Sequence, residues 1–284
     1  MKKMKRSIIT SVICAVGYIG ATIGLLYLAM VRPRMFHRPR TGSFKKWFYA
    51  HRGLHDNASD APENSLAAFQ KAVDAGYGIE MDIQLSKDRI PVVFHDFTLE
   101  RVCGVKGKVS DYTYEELRAF RLFQSEERIP RFEDALKLVK GRVPLIVEFK
   151  IEFKDLSLCP IADRLLRRYK GMYCVESFNP LGLWWYRLHR REVMRGQLAD
   201  AFWQEGEYRG LLHLLLQNLL ANFIGRPDFI AYHCKYPRTL SRRICCGAMG
   251  ALGAAWTVKS QEELDKAKED FDIFIFEGFL PDGT

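Results

Sequence analysis

Eight short apolar runs, each followed by a stretch of helical periodicity, restrict this 284-residue chain more than any other feature. The runs are Trp47–Ala50, Gly78–Leu85, Val143–Phe149, Met172–Ser177, Met194–Ala199, Asp228–Tyr232, Gly250–Val258 and Asp272–Phe276. Strands apolar along nearly their whole length must be covered on both faces, which is the habit of parallel sheets flanked by helices. Eight of them alternating with helices predict a closed TIM (β/α)8 barrel, for which about 250 residues is typical. The expected fold class is therefore α/β. The division expected is an N-terminal segment over 1–46 and the barrel over 47–284.

A further run, Pro91–Phe94, does not fit the alternation. Nine residues, Ile83 to Pro91, separate Asp82 from Val92, too few for a parallel return crossover of about a dozen. It should fold back antiparallel through a hairpin turning near Lys87-Asp88-Arg89, returning His95 to the level of Asp82. Residues 97–130 then read as an insertion beside the barrel mouth, with Thr113-Tyr114-Glu115-Glu116 as a capping box. A helix starting at Asn64 or Ser65 carries Leu66, Phe69 and Val73 on one stripe and stops at Gly76. A Leu-rich helix is expected over 207–223, packed on both sides as a barrel helix in preference to lying in a bilayer surface.

Ahead of the barrel, Ser7 to Val31 are 25 residues without a formal charge. A span needs about 20 apolar residues, so this run is read as one uncleaved transmembrane helix. Gly20 and Gly24 offer a small-xxx-small pair for weak self-association, although glycines are ordinary in such helices. Lys+Arg number 43 against 34 Asp+Glu, and much of the +9 excess brackets this helix. Anionic lipid headgroups account for that placement better than nucleic acid, for which no recognition motif is present. Lys2, Lys3, Lys5 and Arg6 precede the helix, and Arg32, Arg34, Arg38, Arg40, Lys45 and Lys46 follow it. The positive-inside rule leans weakly toward a cytoplasmic catalytic domain on a single-pass cell-membrane anchor. Seven cysteines show neither disulfide-scaffold nor metal spacing, in keeping with a reducing compartment.

Chemistry-bearing residues gather at strand ends. Residues i and i+2 of a strand share a face, so Glu80 with Asp82, and Glu148 with Lys150, point the same way. If those faces look into the barrel mouth, three carboxylates converge, an arrangement that needs a cation among them. An all-oxygen set selects a hard ion, one Mg2+ or Ca2+. The alternative is ion pairing of the same carboxylates with Lys150 and Arg52. His51 and His95 each end an apolar run at the catalytic face of such a barrel, suited to general acid and base work. His55, His189, His213 and His233 are read as structural. Arg52 and Lys150 supply a bidentate fork and a point charge for a phosphate.

The ordered motifs His51-Arg52-Gly53, Pro62-Glu63-Asn64, Ile79-Glu80-Met81-Asp82, Pro91-Val92-Val93-Phe94-His95-Asp96, Val147-Glu148-Phe149-Lys150, Ser177-Phe178 and Trp256-Thr257-Val258 resemble the glycerophosphodiester phosphodiesterase family. The likeness runs from about residue 48 to 277. It implies that Glu80, Asp82 and Glu148 hold the cation, that His51 and His95 are acid and base, and that Arg52 and Lys150 bind the phosphate. Glu63 and Trp256 are expected in support. Two departures stand out: Arg89 where a glycine commonly follows Lys-Asp, and Phe276-Glu277-Gly278-Phe279-Leu280-Pro281 in place of a Thr-Asp-x-Pro ending. The second puts substrate contacts at the last strand in question.

The resemblance implies hydrolysis of glycerophosphodiesters to sn-glycerol 3-phosphate and an alcohol. One alternative keeps the site and takes a lysolipid or membrane lipid, as a lysophospholipase D. A second, of another class, is a catalytically silent membrane binding module, against which the full charged set argues.

Overall fold

A computed structural model describes residues 2–39, 41–205 and 210–282. Its strands are β1 (Phe48–Ala50), β2 (Gly78–Leu85), β3 (Pro91–Val93), β4 (Leu145–Phe149), β5 (Tyr173–Ser177), β6 (Arg195–Ala199), β7 (Phe229–His233), β8 (Leu252–Val258) and β9 (Ile273–Phe276). No boundary of the eight expected strands moves by more than two residues. Parallel pairs run β1–β9–β8–β7–β6–β5–β4–β2, and β1 pairs back onto β2, so the barrel closes. Closure removes every sheet edge from the parallel set. β3 is antiparallel to β2, with Ile83 opposite Val93, and the Phe94 N–H donates to the Asp82 carbonyl at 3.0 Å. His95 thus returns to the Asp82 level, as the short spacing required.

The alternation of side chains divides the core in two. Ile79, Met81 and Ile83 on β2 face outward and pack beneath the helices, while Glu80, Asp82 and Gln84 face the barrel interior. Lower down, Tyr49, Ile146, Cys174, Met194, Phe229 and Ile273 fill that interior. Phe44 closes it from the base, its carbonyl accepting from the Tyr49 hydroxyl at 3.1 Å. Residues 97–130 carry a small apolar cluster of their own, in which Leu99, Val102, Val109, Leu117, Leu122 and Ile129 pack with Val92 and Phe94. The capping box is present: the Glu116 carboxylate accepts from the Thr113 N–H at 2.7 Å.

Helix α1 spans Lys2–Val31, and its stretch Thr10–Val31 is long and apolar enough to cross a membrane. Among its described side chains, those of the last turn, from Tyr27 to Val31, meet the barrel. Val31 is buried, and its carbonyl accepts from Asn222 Nδ2 at 3.1 Å and from Cys245 Sγ at 3.1 Å. The following segment then lies across the base of the barrel. Arg34 pairs with Asp228 at 3.5 Å and donates to the Arg191 carbonyl at 2.8 Å, Arg38 donates to the Met249 carbonyl at 2.7 Å, and Lys45 pairs with Asp272 at 2.7 Å. These three cations, expected to face lipid headgroups, are engaged by the protein itself.

The Leu-rich helix departs from expectation. Helix runs over Leu211–Gln217, stops, and resumes as Asn222–Gly225; residues 206–209 lie outside the described set. Leu219 adopts φ +56°, which no α-helix continues through. Gln217 explains the break: its side chain accepts from the Trp203 N–H at 3.0 Å, and its carbonyl accepts from the buried Tyr232 hydroxyl at 3.2 Å. Nor is this helix packed on both sides, since Leu216 is buried but Leu211 and Leu212 are exposed.

Helix α2 (Leu66–Asp74) is capped by Ser65, whose hydroxyl accepts from the Ala68 N–H at 3.0 Å. Ser65→Ala should cost about 1 kcal/mol and lower the melting temperature by roughly 2–4 °C. Thermal unfolding of the detergent-solubilised chain checks this; an unchanged melting temperature would mean that the cap contributes nothing.

Candidate active site

The turn after β1 begins the site. Arg52 at φ +56° and Gly53 at φ +84° bend the chain sharply back over β1 and α2. A Cβ at Gly53 would sit 2.9 Å from the Phe69 ring, so glycine is required there for space as well as conformation. The bend aims the Arg52 N–H at Glu80 Oε2, 3.1 Å away, and leaves the Arg52 carbonyl to accept from the Asn64 N–H at 2.9 Å.

Glu80, Asp82 and Glu148 come together as expected. One oxygen from each lies within 4.8 Å of the others, and all three residues are buried. The register puts Asp82 opposite Glu148, and Glu148 opposite Glu176 on the next strand. Burial, then repulsion from Asp82, Glu176 and Glu148, pushes the Glu80 carboxyl well above its ordinary value. Glu148 is also raised, by burial, against the pull of Lys150. For Asp82 burial acts the same way, but His95, Lys150, Arg52 and an Asn64 amide donating at 2.8 Å outweigh it and hold the carboxyl low. Asp82 Oδ1 is buried without a hydrogen bond. Converging buried oxygens, one of them unsatisfied, and mutual repulsion are what a hard divalent ion would relieve, so the donor set fits such an ion.

Both cations expected on the phosphate sit beside these carboxylates. Lys150 Nζ lies 3.0 Å from Glu148 and 3.6 Å from Asp82. Arg52 donates to Glu63 at 2.8 Å and lies 3.6 Å from Asp82. Glu63 also accepts two hydrogen bonds from Arg101, at 2.6 and 2.9 Å, and one from Asn57 at 2.9 Å. It holds the arginines in place.

The two histidines share a construction. His51 Nδ1 lies 2.6 Å from Glu277, and His95 Nδ1 lies 2.6 Å from Asp96. Glu277 is held at about 2, chiefly by His51, and Asp96 is held well below its usual range by His95 and Arg101 against burial. Ionised carboxylates only accept, so each Nδ1 carries the proton and each Nε2 is left for other chemistry. His51 is pushed down to about 4, first by burial and further by Arg52, although Glu277 opposes. Its Nε2 is 4.0 Å from Glu80.

His51, Arg52, Glu80, His95, Glu148 and Lys150 border one cavity of about 560 Å³. The rest of the lining is largely apolar and aromatic, with Glu176, Asp200 and His213 among it, and Phe178 is edge-on to Trp256 at 5.7 Å between ring centroids. Trp256 therefore reaches the site, as expected; Glu63 stands behind it. Two participants had escaped sequence reasoning. Glu277 follows β9 just as His51 follows β1, and these strands are neighbours, so its strand-end position was the available signal. Glu176 breaks an apolar strand at the register of Glu148, the same signal that singled out Glu148.

A family model, the glycerophosphoryl diester phosphodiesterase family, matches residues 51–269, which takes in every one of these groups except Glu277. The chain belongs to that family. Glycerophosphodiester phosphodiesterase 1 of Bos taurus is 43% identical over 250 residues, 75% of this chain and 72% of that protein. A Bacillus altitudinis glycerophosphodiester phosphodiesterase is 40% identical over 111 residues, 37% of this chain. The chain spans about half the length of the bacterial relatives it matches, 44% in that case. In fold it is similar to an Oleispira antarctica phosphodiesterase solved with the product sn-glycerol-3-phosphate. That likeness has a TM-score of 0.68 at 22% identity and covers 83% of this chain and 94% of the other.

The Glu63 network sets an acid limb on stability. Burial alone would raise Glu63, but the Arg101 hydrogen bonds, the Arg52 and Arg101 charges and Asn57 hold it at about 2, against an ordinary 4.5. A depressed carboxyl stabilises the fold above its unfolded value and loses that contribution as pH falls toward its folded value. Glu63→Gln should therefore lower the melting temperature near neutrality and flatten its decline between about pH 4.5 and pH 2. A variant with an unchanged acid limb would contradict the assignment.

Proposed function

We propose that this chain is a membrane-anchored, divalent-cation-dependent phosphodiesterase that hydrolyses glycerophosphodiesters to sn-glycerol 3-phosphate and an alcohol. The observation that carries the reading is the meeting, at one cavity, of a carboxylate triad that reaches it through Glu80 and Glu148, two fixed phosphate-seeking cations and two histidines oriented by carboxylates. Family membership supports the reaction class. Glu80, Asp82 and Glu148 would hold the ion, whose chemistry is to polarise a phosphoryl oxygen and lower the pKa of a bound hydroxyl. Arg52 and Lys150 neutralise the phosphate and the further charge that develops on it during attack.

With its Nδ1 proton donated to Glu277, His51 presents a bare Nε2, which can take a proton from the attacking oxygen. His95, oriented in the same way by Asp96, enters as the imidazolium and hands the proton on its Nε2 to the departing alcohol. The nucleophile in this scheme is the glycerol hydroxyl next to the phosphate. Its attack forms a cyclic phosphate as the ester bond to the alcohol breaks. Water then opens the ring with the two imidazoles exchanging roles. The helix α1 serves as a single membrane span, with the barrel on the cytoplasmic side.

A second reading takes the phosphodiester from a lysolipid. Leu211, Leu212 and Trp203 favour it, being exposed on the segment whose Phe202 and Leu216 line the cavity.

The test uses the full chain in detergent micelles with glycerophosphocholine and glycerophosphoethanolamine. EDTA should abolish release of glycerol 3-phosphate, and Mg2+ or Ca2+ should restore it. His51→Ala and His95→Ala should each reduce kcat by about 10²–10⁴-fold. Metal-independent turnover, or normal turnover in both variants, would refute the mechanism. Higher turnover of lysolipid in vesicles than of soluble diesters would favour the second reading.

A further inference from the structure

Glu176 has no task in the scheme above, yet it is among the most costly side chains in the molecule. It is 1% exposed, borders the cavity, and has Oε2 buried without a hydrogen-bond partner. Among the described residues, its carboxylate makes no ion pair. Lys150 is held by Glu148 and Asp82, and Arg52 by Glu63 and Asp82. A buried carboxylate left in this state is strongly unfavourable unless a cation reaches it.

Two kinds of cation are available to answer it. A metal would need at least a third ligand, but the described His, Cys, Asp and Glu residues form a single ligating group, Glu80, Asp82 and Glu148, and Glu176 is not in it. The cavity lining beyond the triad is instead largely aromatic and apolar, with Asp200 as a further carboxylate on it. Phe178, just past the end of β5, borders the same cavity, edge-on to Trp256 at 5.7 Å and tilted against Phe202 at 6.1 Å. Aromatic faces beside a carboxylate do not ligate Mg2+ or Ca2+, but they do stabilise organic ammonium ions.

We propose that Glu176, Phe178, Phe202 and Trp256 form a subsite for an organic ammonium group, so that the preferred substrate is a phosphodiester with a cationic headgroup such as choline or ethanolamine. This rests on the reading of the chain as a phosphodiesterase. The register makes the two sites adjacent: Glu176 is the strand neighbour of Glu148, so an ammonium two methylenes beyond the ester oxygen lies within reach while the phosphate is held by Arg52 and Lys150. Discrimination would come from the pairing of two charges out of water, which a neutral headgroup cannot supply.

The metal-loaded full chain in detergent should be assayed on glycerophosphocholine and on glycerophosphoglycerol, whose headgroup is neutral. In Glu176→Gln, the ratio of kcat/KM for the choline diester over the glycerol diester should fall about tenfold or more. Tetramethylammonium chloride should raise the melting temperature of the parent chain with concentration, and not that of Glu176→Gln. The variant itself should melt no lower than the parent, since it loses an unpaired buried charge. An equal loss on both diesters overturns the proposal and leaves the phosphodiesterase reading standing. A second Mg2+ per chain that disappears in Glu176→Gln overturns it in favour of a metal. If neither diester is hydrolysed, the functional reading fails, and tetramethylammonium alone decides whether the subsite exists.

Discussion

Repulsion among carboxylates buried at one end of a barrel governs this structure. Glu80, Asp82, Glu148 and Glu176 face the same interior, with Arg52 and Lys150 as the cations placed among them. Four acidic groups against two basic ones leave a deficit that the protein does not make up, and burial, followed by that repulsion, pushes Glu80 up. Such an arrangement survives because it is worth more occupied than empty, as buried polar sites devoted to ligands commonly are. A divalent ion on the first three groups and a cationic substrate on the fourth would restore the balance. The surrounding network then makes sense as a means of holding these groups in place. Asn64 fixes Asp82, Glu63 gathers Arg52 and Arg101, and Glu277 and Asp96 set the direction of the two imidazoles.

The barrel supplies the rigidity. β2 and β4 present their carboxylates from within a fully paired parallel sheet, so neither can retreat from the other without breaking the ladder. Apolar layers beneath them, closed at the base by Phe44, exclude water from one side of the site. The linker that provides Phe44 also ties α1 to the base, through Arg34, Arg38 and the buried Val31. The apolar helix is thus joined to the end of the barrel away from the site, leaving the chemistry to the loops at the strand C-termini, as is usual for this architecture.

Much of this was legible in the residues because it depends on local rules. Strand periodicity, a spacing too short for a crossover, and Ser65 and Thr113 ahead of their helices each specify one local outcome. So did Glu80, Asp82, Glu148 and Lys150, whose i, i+2 spacing puts them on one face wherever the strand lies. What stayed hidden depends on partners far apart in the chain. Glu277 acquires its role only because β9 closes against β1, 226 positions from His51. Glu176 gains its meaning from a register across two strands. The Leu-rich segment looked like one helix because nothing in its composition marks Leu219 as a break; the cause is Gln217, drawn toward Trp203 and Tyr232. The linker cations looked lipid-directed because their acceptors, carbonyls and carboxylates at the barrel base, come from widely separated loops.

The central claim, that Glu80, Asp82 and Glu148 hold one divalent ion, is tested most directly by binding. Titration of metal-stripped full chain with Mn2+, followed by electron paramagnetic resonance, counts bound ions without reference to turnover. The account predicts one ion per chain, displaced by Mg2+ or Ca2+ and lost in Glu148→Gln. An absence of binding, or binding that survives Glu148→Gln unchanged, would contradict it.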